Sequence, residues 1–114
     1  MVKDNTLIFK GNIGGTKDDI ANKRFSFAFY DDAHVKRFSA TDDSMGNRFI
    51  GEYTSYVDIT DLSHGTYFME VFLEAQIEGT NAWIPSSMLT YRIIKFNQQV
   101  GVDLLAYHIS EEIE

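Results

Sequence analysis

The chain has 114 residues, a length that suits one domain and lets it bury roughly two-thirds of its unfolded surface. It contains no cysteine, which excludes disulfide bonds and thiolate metal sites. The formal net charge of −7 disfavours nucleic acid and anionic membranes as partners, since both require a basic surface.

The first half of the chain contains short alternating runs that predict β-strands separated by polar turns. These predicted strands are Thr6–Lys10, Arg24–Tyr30, Val35–Ala40 and Phe49–Ile59. Residues 1–5 are polar and have no apolar h-region, so we expect neither a signal peptide nor a membrane span.

The stretch from residue 66 to residue 78 gives the clearest pattern. Apolar residues recur at every second position from Tyr67 to Ile77, which predicts a strand with one buried face. The other face carries Glu70, Glu74 and Glu78, whose spacing also fits a helix. The strand is preferred because valine, phenylalanine, tyrosine and threonine dominate the stretch and because its apolar period is two.

A tight corner is predicted just before this strand, over residues 60–65. Gly65 can adopt a positive φ, and Leu62 is positioned to cap the core beneath the corner. In immunoglobulin-like sandwiches, a tyrosine near the start of the penultimate core strand closes such a corner by bonding to upstream backbone. Tyr67 is predicted in that role, and the alternative is that it is an ordinary core aromatic.

The last predicted sandwich strand is Met88–Phe96, and Trp83-Ile84-Pro85 before it is an edge or a loop because of the proline. The pattern as a whole predicts an all-β, immunoglobulin-like antiparallel β-sandwich of about six or seven strands. The predicted sandwich domain spans residues 1–96, and residues 97–114 form a C-terminal arm.

The arm has two possible conformations. Val100 and Val102 alternate as in an extended strand, whereas Leu104, Leu105 and Ile109 fit a helical stripe, so both an extended arm and a short helix stay open. In either case the arm is apolar, and we expect it to pack on its own sandwich or on a neighbouring subunit.

The sequence offers no convincing catalytic, cofactor or metal residues, so we predict that the chain is not an enzyme and holds no cofactor. His34, His64 and His108 are spread over two turns and the arm and suggest neither a triad nor a metal cluster. Three aspartate pairs in predicted loops could share a Ca²⁺ ion if two loops met at one end, although solvated turn acids are the simpler interpretation. These pairs are Asp18-Asp19, Asp31-Asp32 and Asp42-Asp43.

Apolar side chains on faces that otherwise read as polar, together with those of the arm, are the candidate interface residues. They are Phe68, Phe72, Trp83, Ile94, Leu104, Leu105, Ile109 and Ile113. A carbohydrate-binding or adhesion module, with Trp83 as its stacking platform, is the alternative function.

Two runs resemble small immunoglobulin-like domains of tailed-phage virions. They are Phe25–Tyr30 with the following Asp31-Asp32, and V-D-I-T-D-L-S-H-G-T-Y at residues 57–67. The similar type is the N-terminal domain of upper-baseplate proteins, in which D-L-x-x-G-x-Y precedes a long strand. The resemblance covers roughly residues 23–96, and from residues 97–114 we expect no long fibre or helical extension after it.

The resemblance implies a non-enzymatic structural subunit of a tail, baseplate, neck ring or capsid decoration. Such a subunit is made in the host cytoplasm and resides in the virion. Its expected partners are other virion proteins and copies of itself as a homo-oligomer, with neither nucleic acid nor membrane among them.

Overall fold

A computed structural model describes residues 2–3, 5–14, 20–44, 51–96 and 99–109. These residues form eight strands. Six of them, β2 to β7, correspond to the predicted runs, with β3 and β7 beginning earlier than predicted, whereas β1 was not predicted and β8 falls in the predicted arm. They are β1 (Val2–Lys3), β2 (Thr6–Ile13), β3 (Ile20–Tyr30), β4 (Lys36–Asp42), β5 (Gly51–Asp58), β6 (Gly65–Ile77), β7 (Trp83–Phe96) and β8 (Gln99–Ile109). The described part of the chain has no helix that is long and apolar enough to cross a membrane.

The strands form two antiparallel sheets, which confirms the all-β sandwich. The smaller sheet has the order β1-β2-β5, and the larger has the order β4-β3-β6-β7-β8. Successive strands cross between the sheets after β2, β4 and β5, as in the immunoglobulin-like fold. The strand β8 is an addition at the edge of the larger sheet.

The core lies between the sheets because each strand turns alternate residues inward. Phe9 of the smaller sheet packs edge-on against Phe25 and Phe27 of β3, with ring centroids 5.1 and 5.7 Å apart. The predicted inner face of β6 is buried at Tyr67 and Val71, which completes the aromatic and aliphatic core. This face therefore follows the period of two read from the sequence.

The helical alternative for the arm is wrong over residues 99–109. These residues form β8, which pairs with β7 from Phe96↔Gln99 to Ser87↔Ile109. Val100 and Val102 pack against the core, so the alternating valines outweigh the helical stripe. Residues 99–109 of the arm thus pack on their own sandwich, which is one of the two expected locations.

Pro85 lies within β7 and pairs with Glu74 of β6. The described pairing of β8 with β7 reaches as far as Ser87, so among the described strands Pro85 has a neighbour on the β6 side alone. A proline cannot donate to a ladder, and this position requires no donor toward β8. The edge alternative for Trp83-Ile84-Pro85 is therefore the one that the fold adopts.

Candidate functional site

The corner before β6 has the geometry that the sequence indicates. The Tyr67 hydroxyl donates a hydrogen bond to the backbone carbonyl of Ser63 at 2.9 Å. Leu62 is buried beneath the turn. Gly65 has a φ of 148°, a backbone conformation that residues other than glycine rarely adopt. The corner therefore fixes how the chain passes from β5 into β6.

A buried lysine on the neighbouring strand β7 also holds this corner. Lys95 of β7 is only 4% exposed, and its Nζ donates to the carbonyls of Ile59 at 2.5 Å, Thr60 at 3.1 Å and Leu62 at 2.6 Å. A buried ammonium group is tolerated when its donors are satisfied in this way. Sequence reasoning missed this role, although Lys95 continues the inward-facing series of Tyr91 and Ile93.

Asp58 stabilises the turn beside this lysine. Its Oδ1 accepts bonds from the Thr60 hydroxyl at 2.5 Å and from the Thr60 backbone N–H at 2.9 Å. These two bonds, with a smaller effect from the Lys95 charge, lower the pKa of the Asp58 carboxyl. The acid is therefore a turn-forming group with its bonds made inside the chain.

The Asp31 carboxylate of the second aspartate pair closes the β3–β4 hairpin. Its Oδ1 accepts from the N–H groups of Ala33 and Val35 at 2.9 and 3.0 Å, and its Oδ2 forms an ion pair with Arg37 Nε at 2.7 Å. The Val35 and Arg37 bonds, in that order, lower the pKa of Asp31. Both carboxylate oxygens are thus engaged in the turn.

The third pair lies far from the second. Asp31-Asp32 and Asp42-Asp43 flank opposite ends of β4, whose seven residues span roughly 20 Å. One ion cannot be shared across that distance, and the described residues contain no group of three or more histidine, aspartate or glutamate side chains placed to hold a metal. Asp18-Asp19 lies outside the described residues.

Asp42 joins the two sheets. Its Oδ2 accepts from the Ser55 hydroxyl of β5 at 2.7 Å, and its Oδ1 accepts from the Ser44 hydroxyl at 2.6 Å. Tyr53 completes the cluster through a short hydrogen bond between its hydroxyl and that of Ser44. Burial raises the pKa of Asp42, but the bonds from Ser44, Ser55 and Tyr53 outweigh it and leave the pKa lowered.

The histidines are distributed as turn and edge residues. His34 adopts a φ of 61° in the β3–β4 turn, and the His64 ring lies 6.1 Å from the Phe96 ring at the corner. His108 is paired with Met88, near the opposite end of β7. The fold therefore separates His64 from His108 along the length of the larger sheet.

The candidate interface residues fall into three groups. Phe68 and Phe72 are half-buried on the outer face of β6, whereas Ile94 and Leu104 are 43% and 58% exposed. Trp83 is half-buried beneath the Arg24 guanidinium, which lies 4.0 Å from the ring centroid. Leu105 and Ile109 lie on β8 with side chains outside the described set, and Ile113 lies outside the described residues.

Three large exposed hydrophobic side chains were not among the candidate interface residues, and one of them, Val35, is 46% exposed in the β3–β4 turn. Phe96 is 64% exposed and shares the outer face of β7 with Ile94. Tyr56 is 68% exposed on the outer face of the smaller sheet. The alternation of Ile94 and Phe96 with the inward Ile93 and Lys95 was the signal that could have identified Phe96.

An open groove of about 590 Å³ is lined by residues of both sheets, among them Tyr56 of β5, Tyr91 of β7 and Val102 of β8. Leu104 pairs with Tyr91 and lies beyond Val102 on the same strand face. Leu104 is thus an exposed apolar side chain of the last strand, next to Val102, which packs against the core.

None of the protein-family models, curated proteins or solved structures compared with this chain matches it.

Proposed function

We propose that this chain is a non-enzymatic structural subunit of a tailed-phage virion, in a tail, baseplate, neck ring or capsid decoration, and that it acts by protein–protein assembly. The observation that carries the proposal is the exposed apolar surface of the last two strands. Five large hydrophobic side chains are described as exposed, and three of them, Ile94, Phe96 and Leu104, belong to β7 and β8. Leu104 lies on the sandwich-facing side of β8, whereas Ile94 and Phe96 lie together on the outer face of β7. Exposed apolar side chains that lie together on one face favour a protein partner.

The resemblance of residues 23–96 to virion immunoglobulin-like domains gives the proposal its class. The corner at residues 61–67 supports that resemblance through the Tyr67–Ser63 bond and the buried Leu62. A corner of this kind is a feature of the fold, and function is argued from the exposed surface instead.

The first experiment asks whether the chain is part of a particle. Antibodies raised against the purified chain are applied to particles of a phage whose genome encodes it. Bound antibody is then located by gold labelling and electron microscopy. We expect labels at one repeated position on the particle. Purified particles that lack the chain by mass spectrometry would overturn the proposal.

A second experiment asks whether the exposed surface is the contact. The double substitution Ile94→Lys and Phe96→Lys changes two exposed side chains and should leave the fold intact. We expect the variant to be absent from particles, because charge would have to be buried at the contact. Tyr56→Lys, at an equally exposed position on the other sheet, is the control and should be incorporated normally.

A further inference from the structure

We propose that two copies of this chain pair through their β8 strands, antiparallel, about a twofold axis at Val102, to form one continuous ten-stranded sheet. This inference deepens the proposed assembly role and rests on it. The partner is a second copy of this chain, and the contact is the backbone edge of β8, which no other described strand pairs with.

The edge of β8 from Gln99 to Leu104 carries few of the features that prevent edge pairing in β-proteins. An unpaired strand edge offers N–H and C=O groups to another strand unless charge, proline or short length prevents it. The opposite edge of the larger sheet, β4, is seven residues long and carries Lys36 and Arg37. By contrast β8 has eleven residues, contains no proline, lysine or arginine, and has Asp103 as its one acidic residue.

The regular part of β8 defines the register. Its pairing with β7 is continuous from Gln99 to Leu104 and then shifts between Thr90 and Tyr91, so that Leu105 is left without a partner position. A bulge of this kind ends regular pairing on the bulged strand. The segment free to pair with a second copy therefore runs from Gln99 to Leu104, and its central alternating residue is Val102.

This register joins apolar positions on one face. Val100, Val102 and Leu104 lie opposite the inward positions Lys95, Ile93 and Tyr91 of β7, so they share the sandwich-facing side. A twofold axis at Val102 puts Leu104 of each copy opposite Val100 of the other and Val102 opposite itself. Leu104, which is 58% exposed in one chain, gains an apolar cross-strand neighbour.

The register also suits the charge of the chain. With a net charge of −7, two copies repel wherever acidic surfaces face each other. About the proposed axis, position 103 lies opposite Gly101 of the second copy, so the acidic residues of β8 are not opposed. A Cβ at Gly101 would have no neighbour within 4 Å, which leaves this position open for a partner strand.

Cysteine cross-linking tests the register directly, because the natural chain contains no cysteine. Opposite residues of antiparallel strands have Cα atoms about 4.5–5.5 Å apart, within the range of a disulfide. Full-length Val102→Cys should therefore form a covalent dimer on mild oxidation. Leu104→Cys alone should not, because its two copies lie roughly 13 Å apart along the strands. Mixing Val100→Cys with Leu104→Cys should restore the covalent dimer.

Light scattering and sedimentation of the full-length chain provide the second measurement. We expect a concentration-dependent dimer whose dissociation constant rises by about tenfold or more in Leu104→Lys, since the ammonium group would be buried beside valine. Leu104 is exposed in a single chain, so this variant should fold. Val35→Lys, at an exposed position beside β4 on the opposite edge of the larger sheet, is the matched control and should leave the dissociation constant unchanged.

Each outcome decides the inference separately from the proposed function. A monomer at every attainable concentration, or a dimer in which Val102→Cys fails to cross-link, overturns pairing through β8. In either case the gold-labelling experiment still decides whether the chain belongs to a virion. Efficient cross-linking of Leu104→Cys alone would place the axis elsewhere and also overturn the register.

Discussion

The Ser55 hydroxyl of β5 donates a 2.7 Å hydrogen bond to Asp42 Oδ2 of β4, although these strands belong to opposite sheets. Ser55 is fully buried, so this carboxylate is the acceptor that satisfies it in an otherwise apolar interior. The Ser44 backbone N–H and hydroxyl bond the other carboxylate oxygen. Asp42 therefore links the sheets on the side where the chain crosses from β4 to β5.

Asp42→Ala should destabilise the fold by about 2–3 kcal/mol, because it removes bonds to a charged acceptor and leaves the Ser55 hydroxyl without that acceptor. Asp43→Ala is the matched control, since Asp43 is adjacent and exposed, and should change the free energy of unfolding little. Urea unfolding at neutral pH measures both. Equal stabilities of the two variants would show that the link contributes nothing.

The stability of the protein should fall in acid. The pKa values of Asp31, Asp42 and Asp58 are all lowered from 3.8 in the folded chain. A carboxyl with a lower pKa when folded stabilises the fold above its unfolded pKa, and that contribution is lost as pH falls through the folded pKa. Thermal unfolding should thus give a nearly constant midpoint above about pH 5 and a steep decline below about pH 4. In Asp42→Ala the decline should be shallower.

Lys95→Met should cost about 2–4 kcal/mol, since it keeps the length of the side chain but leaves three carbonyl groups at the corner without their shared donor. Lys10→Met is the control, because Lys10 is exposed on β2. Denaturant unfolding compares the free energies of unfolding. A variant as stable as the control would mean that water replaces the ammonium group at no cost.

The sequence predicted the strands better than the polar contacts between them. The alternation from Tyr67 to Val71 identified buried positions because the period of two follows from strand geometry alone. The bonds of Lys95 to Ile59 and of Asp42 to Ser55 were not predicted, since each joins residues from different strands. The one sign of these contacts in the sequence is a polar residue, Ser55 or Lys95, at an inward position of an alternating apolar series.

The arm shows a different limit. Leu104, Leu105 and Ile109 fit a helical stripe as well as a strand, and local pattern cannot choose between them. The choice is made by β7, whose long edge offers hydrogen bonds and whose neighbours offer apolar contact to Val100 and Val102. The exposed Leu104 was a candidate interface residue from the sequence, whereas its place near the end of a regular pairing segment required the fold.

Gly11→Ala should destabilise the protein by about 1–3 kcal/mol, the cost of overpacking a core. A Cβ on this β2 residue would overlap the ring of Phe25, which is buried and packed against Phe9. Gly14→Ala is the control, since a Cβ there has no neighbour within 4 Å. Thermal unfolding of both variants checks the prediction, and an unchanged midpoint for Gly11→Ala would contradict it.

Trp83→Ala should lower the free energy of unfolding by about 1–2 kcal/mol, because it removes the ring on which the Arg24 guanidinium stacks. Arg24 also pairs with Glu74 at 2.7 Å, so its guanidinium is held over the ring. We therefore expect no glycan binding that depends on Trp83. A glycan array tests this with Tyr56→Ala as control, and a signal lost only in Trp83→Ala would favour the carbohydrate-binding alternative.

The lysine at the corner also affects the order in which the chain can fold. Tyr67 reaches a carbonyl four residues upstream, so this contact can form as soon as the corner is synthesised. Lys95 lies 33 to 36 residues after the carbonyls that it binds, and it leaves the ribosome much later. A nascent chain that ends before β7 thus has an incomplete corner, and long-range closure of this kind slows folding. We expect the sandwich to become protected from proteolysis in a single step, after β7 has left the ribosome.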